Sequence, residues 1–372
     1  MSNAPSNRSA RKPEVDAKLK RLRERMAARQ VDALLLNTIP NTAWTTAGGA
    51  LYVSEGTDGA ASSILVTPDK AYVLTNGIEG PRLQKEEALD SLGFELIVEP
   101  WHSMGKLSKP LMNGKHLGQD GLGSGVDMGM ELRDLRLVLQ DEEVARFRHV
   151  STLAGEAMDD SIRMVRPGDS EYELASRLSA ASRLRGGTAV VNLIASDERI
   201  SQFRHPLPTA KTVERYAMLV LCLRIEGLIA SVTRLVHFGA MPGDLRKKAM
   251  AVARVDAKMI VGTQAGRTIG DMFILARDAY KEEGYPEAID QHHQGGSAAY
   301  SPREIIATPG DKTPIQLNQA FAWNPSVMGA KSEDTIILTS KGQDVMTVIP
   351  GWPTWEITVD GKKIERPAIL EG

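Results

Sequence analysis

The sequence predicts an α+β protein in two parts: a small N-terminal α/β domain, followed by a larger domain in which helices and strands are grouped. Three observations predict it. The chain has 372 residues, more than one domain of roughly 150 residues usually holds. Its first third alternates helical and strand patterns. Beyond Gln140 long helical periods are followed by clustered apolar strands. The organisation read from this is a disordered tail over 1–13, an α/β domain over 14–138 and a second domain over 139–372.

Taken in order, Met1 to Pro13 is rich in Ser, Asn, Arg and Lys, a composition that buries little and reads as a mobile tail. From Val15 a helix is expected, because Leu19, Leu22 and Met26 recur at three- and four-residue steps. Val31 to Leu36 reads as a buried strand. Ser63–Val66 and Ala71–Leu74 read as strands around the turn Thr67-Pro68-Asp69-Lys70, and Phe94–Val98 as another. Asp141-Glu142-Glu143 opens a long helix to about Met164, its acidic first turn suiting the helix dipole. Arg166-Pro167-Gly168-Asp169 breaks it. Ser170 with Glu173 forms a capping box for a second helix to about Leu184. Strands are expected at Ala189–Ile194, Ala217–Ile225 and Ile229–His237, and a helical block from about Leu245 to Lys281. Ala320–Trp323, Glu333–Leu338 and Met346–Ile349 read as the closing strands.

Composition narrows the function. Lys plus Arg number 45 against 47 Asp plus Glu, a formal charge of −2, which argues against a nucleic-acid binder led by its net field. The single cysteine, Cys222, excludes an internal disulfide and a cysteine-based zinc site. No apolar signal region and no run of spanning length is found. A cytoplasmic protein acting on a small-molecule substrate, with no membrane and no nucleic-acid partner, is expected.

Five motifs in order carry a resemblance. They are Arg166-Pro167-Gly168-Asp169-Ser170-Glu171, then Phe203-Arg204-His205-Pro206. Glu226-Gly227 running to Thr233-Arg234 is the third, His292-His293-Gln294-Gly295-Gly296 the fourth, and Ser332-Glu333-Asp334-Thr335 the last. Together the chain resembles the creatinase/aminopeptidase P family over roughly residues 15–345. The resemblance implies a creatinase-type N-terminal α/β domain, a pitta-bread C-terminal domain and a homodimer. Asn41 to Trp44, with Leu51-Tyr52, is the stretch where such proteins carry a loop that closes the partner's site. Core packing is the competing expectation for Trp44 and Tyr52.

Metal-dependent members of that family hold two divalent ions with two Asp, one His and two Glu. Carried over, the Asp positions are occupied by Val220 and Ser231, the His position by His293 (or His292, if the register slips by one), and the Glu positions by Asn324 and Glu333. Valine cannot ligate, and serine and asparagine are weak neutral donors for hard ions. No catalytic metal cluster and no cofactor are therefore expected. The resemblance to creatinase, which works without metal, implies His205 as general acid/base, Glu333 as its carboxylate partner and Arg303 as the holder of a substrate carboxylate.

Read as residues, His205 has the intrinsic pKa to move a proton near neutrality, or is a surface loop histidine. One of His292 and His293 is expected to face the pocket, since neighbours in an extended chain point apart, or to bond backbone structurally. Glu333 and Asp334 should face opposite sides, one towards the pocket and one towards a partner such as Arg234. A buried Glu333 near an imidazole would favour its charged form; the alternative is a paired structural carboxylate. Arg303 could fork onto a carboxylate or pair with Glu304 or Asp311. Ser231 and Asn324 could hydrogen-bond a substrate or be remnants of a dead site. Tyr300 could donate its hydroxyl or pack in the core. Cys222 reads as an inert buried thiol. The function expected is metal-independent hydrolysis of a C–N bond in a small amino-acid-like or guanidino compound. The alternatives are an Xaa-Pro metallo-aminopeptidase, with Glu226 as a substitute carboxylate, an inactive binding protein of the same fold, or a lyase.

Overall fold

The computed structural model describes residues 8–121 and 125–372. It divides into two compact units, Met1–Arg136 and Leu137–Gly372. Residues 1–7 of the expected tail lie outside the described residues. The rest of that tail is ordered: a 3-10 turn at Arg8–Arg11 leads into α1 (Lys12–Ala28). Two local causes explain the difference. Pro13 stands in the first helical turn, where its missing N–H costs nothing, and Arg8 pairs with Glu87 at 2.7 Å.

The first unit is built on a six-stranded sheet. Its strands are β1 (Ala33–Thr38), β2 (Gly59–Val66), β3 (Ala71–Asn76), β4 (Glu95–Glu99), β5 (Leu117–Gln119) and β6 (Val126–Asp127), in the spatial order β4-β3-β2-β1-β5-β6. The turn Thr67–Lys70 joins β2 and β3 antiparallel, with Val66 opposite Ala71. Trp44 is fully buried, so it packs in the core of its own unit.

The second unit begins with α2 (Asp141–Ile162) and α3 (Glu171–Leu184). Both start with capping boxes: Gln140 with Glu143, and Ser170 with Glu173. Then come β7 (Thr188–Ser196), the short α4 (Glu198–Gln202), β8 (Tyr216–Ile225) and β9 (Leu228–His237). The helical block expected over 245–281 is two helices, α5 (Gly243–Gly262) and α6 (Ile269–Glu283). Thr268, which caps α6 by a box with Asp271, is the break. α7 (Ala288–Gln291) leads to β10 (Gly295–Ala298), β11 (Ile305–Ile306), β12 (Gln319–Trp323), β13 (Ser326–Val327), β14 (Ala330–Lys331), β15 (Asp334–Thr339) and β16 (Gly342–Val345). The strand expected at Met346–Ile349 is thus displaced to Gly342–Val345, because the turn after Thr339 lets the chain pair at once with β15. A hairpin of β17 (Thr354–Val359) and β18 (Lys362–Pro367) follows, then β19 (Leu370–Glu371).

Two sheets form the frame of this unit: β19-β9-β8-β7 and β11-β10-β12-β15-β16. Between β8 and β9 lies a two-residue turn, Glu226-Gly227, with φ of 50° and 80°. Positive φ at both central positions is the hairpin turn that matches strand twist. The sheets share an apolar core that includes Val220, Phe321, Trp323 and Ile336. Its burial is what fixes which strand faces look inward. An isolated antiparallel bridge, Thr233 to Glu333, ties β9 to the start of β15.

Candidate active site

Antiparallel pairing places Val220 opposite Thr233, and Cys222 opposite Ser231. Directly opposed residues share a face of the sheet, so these four side chains form one patch. Glu333 reaches it through the bridge at Thr233. The next residue, Asp334, points the other way. It accepts from Arg234 at 2.9 Å and from Arg366 at 2.6 Å, as period-two alternation requires.

Glu333 is almost fully buried and its carboxylate is spent. One oxygen accepts from Arg303 Nη2 at 2.8 Å. The other accepts from Thr233 Oγ1 at 2.5 Å and meets Lys331 Nζ at 2.8 Å. Burial alone would raise its pKa, but Lys331 and Arg303 outweigh it and hold the group well below the usual carboxylate range. Arg303 is equally committed. Its Nη1 donates to Ser231 Oγ at 3.1 Å and to the Pro302 carbonyl at 2.6 Å. The expected role of Arg303 as a clamp for a substrate carboxylate is therefore corrected: its fork is already on Glu333. So is the expected pairing of Glu333 with an imidazole, since two cations claim it first.

Three imidazoles gather close by. His205 follows α4 at the exposed edge, before Pro206. His292 and His293 leave α7 at a bend and stack on each other, with ring centroids 4.5 Å apart and planes at 22°. Their centroids lie 4.9 Å and 5.7 Å from that of His205. His292 Nε2 and His205 Nε2 are 3.1 Å apart. The expectation that only one of the pair faces the site is corrected, because the bend at His292 puts both rings on one side. His293 Nδ1 accepts from the Gly295 N–H at 3.2 Å. Their surroundings disfavour the charged form of all three imidazoles. Burial, with Lys331 second, pushes His292 down to about 2. Burial, then Arg303, brings His293 to about 4. His205 is also lowered, by lost hydration against the other rings and by Lys331.

The remaining candidates divide. Ser231 is buried and bonded to Arg303, with Cys222 Sγ 3.2 Å away. Asn324 is buried, its N–H donates to the Gln294 carbonyl at 3.1 Å, and its side-chain oxygen has no partner among the described residues. Tyr300 is not presented to a substrate: it is buried and donates to Glu143 at 2.6 Å. Cys222 is buried, which pushes its thiol up to about 11. Glu226 sits in the hairpin turn. It is five residues along the chain from Ser231, about 16 Å at strand rise, too far to replace a missing ligand. Thr233 and Lys331 were missed, although a signal existed. Thr233 lies two residues from Ser231 on β9 and so on the same strand face; Lys331 ends β14, two residues before Glu333.

These residues do not fit a pair of hard divalent ions. Val220 offers no donor and is buried in the apolar core. Ser231 and Asn324 are neutral. The Arg303 guanidinium itself bridges Ser231 and Glu333, two of the five expected ligand positions. A cationic side chain stands where a cation would have to be received.

The model of the metallopeptidase family M24 matches residues 145–340. The Xaa-Pro dipeptidase of Pyrococcus horikoshii is 23% identical over 361 residues, covering 90% of this chain and 97% of the relative. Among solved structures, the Xaa-Pro dipeptidase from Bacillus anthracis superposes with a TM-score of 0.74 at 21% identity, over 96% of this chain and 99% of that one. The X-Pro aminopeptidase from Thermotoga maritima gives 0.75 at 19% identity, over 95% and 99%. The likeness spans both the N-terminal domain and the pitta-bread domain, and the α+β fold expected from the sequence is the fold found.

Proposed function

The chain belongs to the metallopeptidase family M24, and on that footing we propose that it hydrolyses a C–N bond in a small peptide-like or amino-acid-like substrate. The relatives are described as acting on Xaa-Pro compounds. This favours the amide bond before a proline over the guanidino compounds that the creatinase resemblance suggested. The proposal keeps one departure from the family's name: the reaction proceeds without a two-ion carboxylate cage.

The observation that carries the proposal is His205 at the exposed edge, with His292 Nε2 3.1 Å from its own. Water adds to the carbonyl carbon while His205 takes its proton, and the proton passes to the leaving nitrogen as the C–N bond breaks. His292 orients the ring. Lys331 and Arg303 supply a positive field for the oxygen on which negative charge builds. Asn324, with its unpartnered oxygen, is a candidate acceptor for a substrate N–H. A homodimer in the cytoplasm is part of the same proposal, and light scattering reads the dimer. No helix among the described residues is long and apolar enough to cross a membrane.

The test is amine release from a panel of Xaa-Pro dipeptides and of guanidino and ureido amino acids, with His205→Ala alongside. Turnover of a proline peptide that falls at least 100-fold in the variant supports the reading, a loss typical of removing a general acid/base. Absence of turnover across the panel, with unchanged ligand binding in the variant, favours a binding protein on the same fold. The locked Glu333 would suit that reading.

A further inference from the structure

We propose that His205, His292 and His293 together hold a single divalent transition-metal ion of the zinc, cobalt or nickel kind. One of these imidazoles stands at the position where the resemblance puts the family's histidine ligand. The other two lie outside that five-residue set. The site is thus different in kind from a carboxylate cage: three neutral nitrogen donors, which suit zinc, cobalt and nickel rather than magnesium or calcium.

Geometry supports it first. The three rings can each offer a nitrogen, and these atoms all lie within 4.8 Å of one another. Around a tetrahedral ion with nitrogens at 2.0–2.1 Å, neighbouring ligand atoms sit about 3.3 Å apart. The His205 and His292 Nε2 atoms, 3.1 Å apart, already have that spacing. His293 must turn, and in doing so gives up its long 3.2 Å contact with the Gly295 N–H.

A second observation is independent of the first. His292 is 9% exposed, yet its Nδ1 has no hydrogen-bond partner among the described residues. Buried polar atoms are rarely left so. Its Nε2 is the nitrogen turned towards His205. Lys331 and Arg303 oppose a cation by repulsion, and Glu333, paired with both, offsets part of it. Three protein ligands would leave a fourth position for a water.

The inference does not rest on the hydrolase reading: an ion on His205 Nε2 would occupy the lone pair that the ion-free hydrolysis uses, so its test reads binding, not turnover. Untagged full-length protein is stripped with a chelator, dialysed and titrated with cobalt(II), then with zinc(II). The expected result is one ion per chain by elemental analysis. It comes with the visible absorption of four-coordinate cobalt, bleached when zinc displaces it. His205→Ala and His292→Ala should each weaken binding at least 10-fold, and circular dichroism should show both variants folded. Lys331→Met, which removes a repelling charge, should tighten it. No bound ion, two ions per chain, or one ion retained by the double His205→Ala/His292→Ala variant each overturns the proposal.

Discussion

His292 has lost the option of carrying a proton near neutrality, and this has a measurable sign. Its pKa falls to about 2 in the folded chain and that of His293 to about 4, against about 6.5 when unfolded. Between those limits the unfolded chain binds more protons, so stability rises with pH up to about 6.5 and is flat above it. Urea midpoints should fall from pH 7 to pH 5, with His292 contributing about 2 kcal/mol over the whole interval. A midpoint constant over that range would show that the rings are not desolvated. Glu333 acts in a lower window. Its folded pKa is depressed, so its contribution is present above about pH 4.3 and is lost as acid drives the pH towards the folded value. Glu333→Gln leaves Lys331 and Arg303 buried without a counter-charge, and should cost about 3–5 kcal/mol in chemical denaturation. His205→Ala, at the exposed edge, should leave the midpoint nearly unchanged while abolishing turnover.

At the scale of elements, the strand after the histidines is set by two glycines. A Cβ on Gly296 would lie 1.8 Å from the Ile305 carbonyl oxygen, and one on Gly295, at φ 95°, 2.1 Å from that of Ala322. β10 is squeezed between β11 and β12, so close backbone approach, rather than flexibility, is what the glycines supply. Gly296→Ala should therefore destabilise by about 3 kcal/mol or more, read as a fall in melting temperature, and should displace the neighbouring imidazoles. Elements of this kind show what the sequence makes legible. The capping box at Ser170 and the turn at Thr67–Lys70 are local chemistry and were readable from a few residues. The His205-Pro206, His292-His293 and Glu333-Asp334 segments were readable as motifs. The partners of Glu333 were not, because Thr233 lies 100 residues away and only folding brings it within reach. The stacking of His292 on His293 was hidden for another reason: it depends on a bend that strand periodicity does not encode.

Across the larger unit, a second ion cluster fastens the end of the chain. Arg366 on β18 donates from Nε to Asp256 on α5 at 2.9 Å, and from Nη2 to Asp334 at 2.6 Å. Arg234 shares Asp334. All four groups are buried. Arg366→Ala leaves Asp334 to Arg234 but strands the Asp256 carboxylate, and should cost about 3 kcal/mol, seen as early proteolysis of the β17–β18 hairpin relative to the rest of the unit. The same long reach governs the candidate site. β8 and β9 are joined by the two residues Glu226-Gly227, so that hairpin can zip on the microsecond scale from neighbours in the chain. The bridge from Thr233 to Glu333 must close a loop of about 100 residues, whose entropy is repaid only once the second sheet is in place. During refolding, amides of the hairpin should gain hydrogen-exchange protection first, and Thr233 should find the Glu333 carboxylate among the last contacts made. The candidate site is thus the latest part of this unit to exist, and a chain that stalls in folding stalls without it.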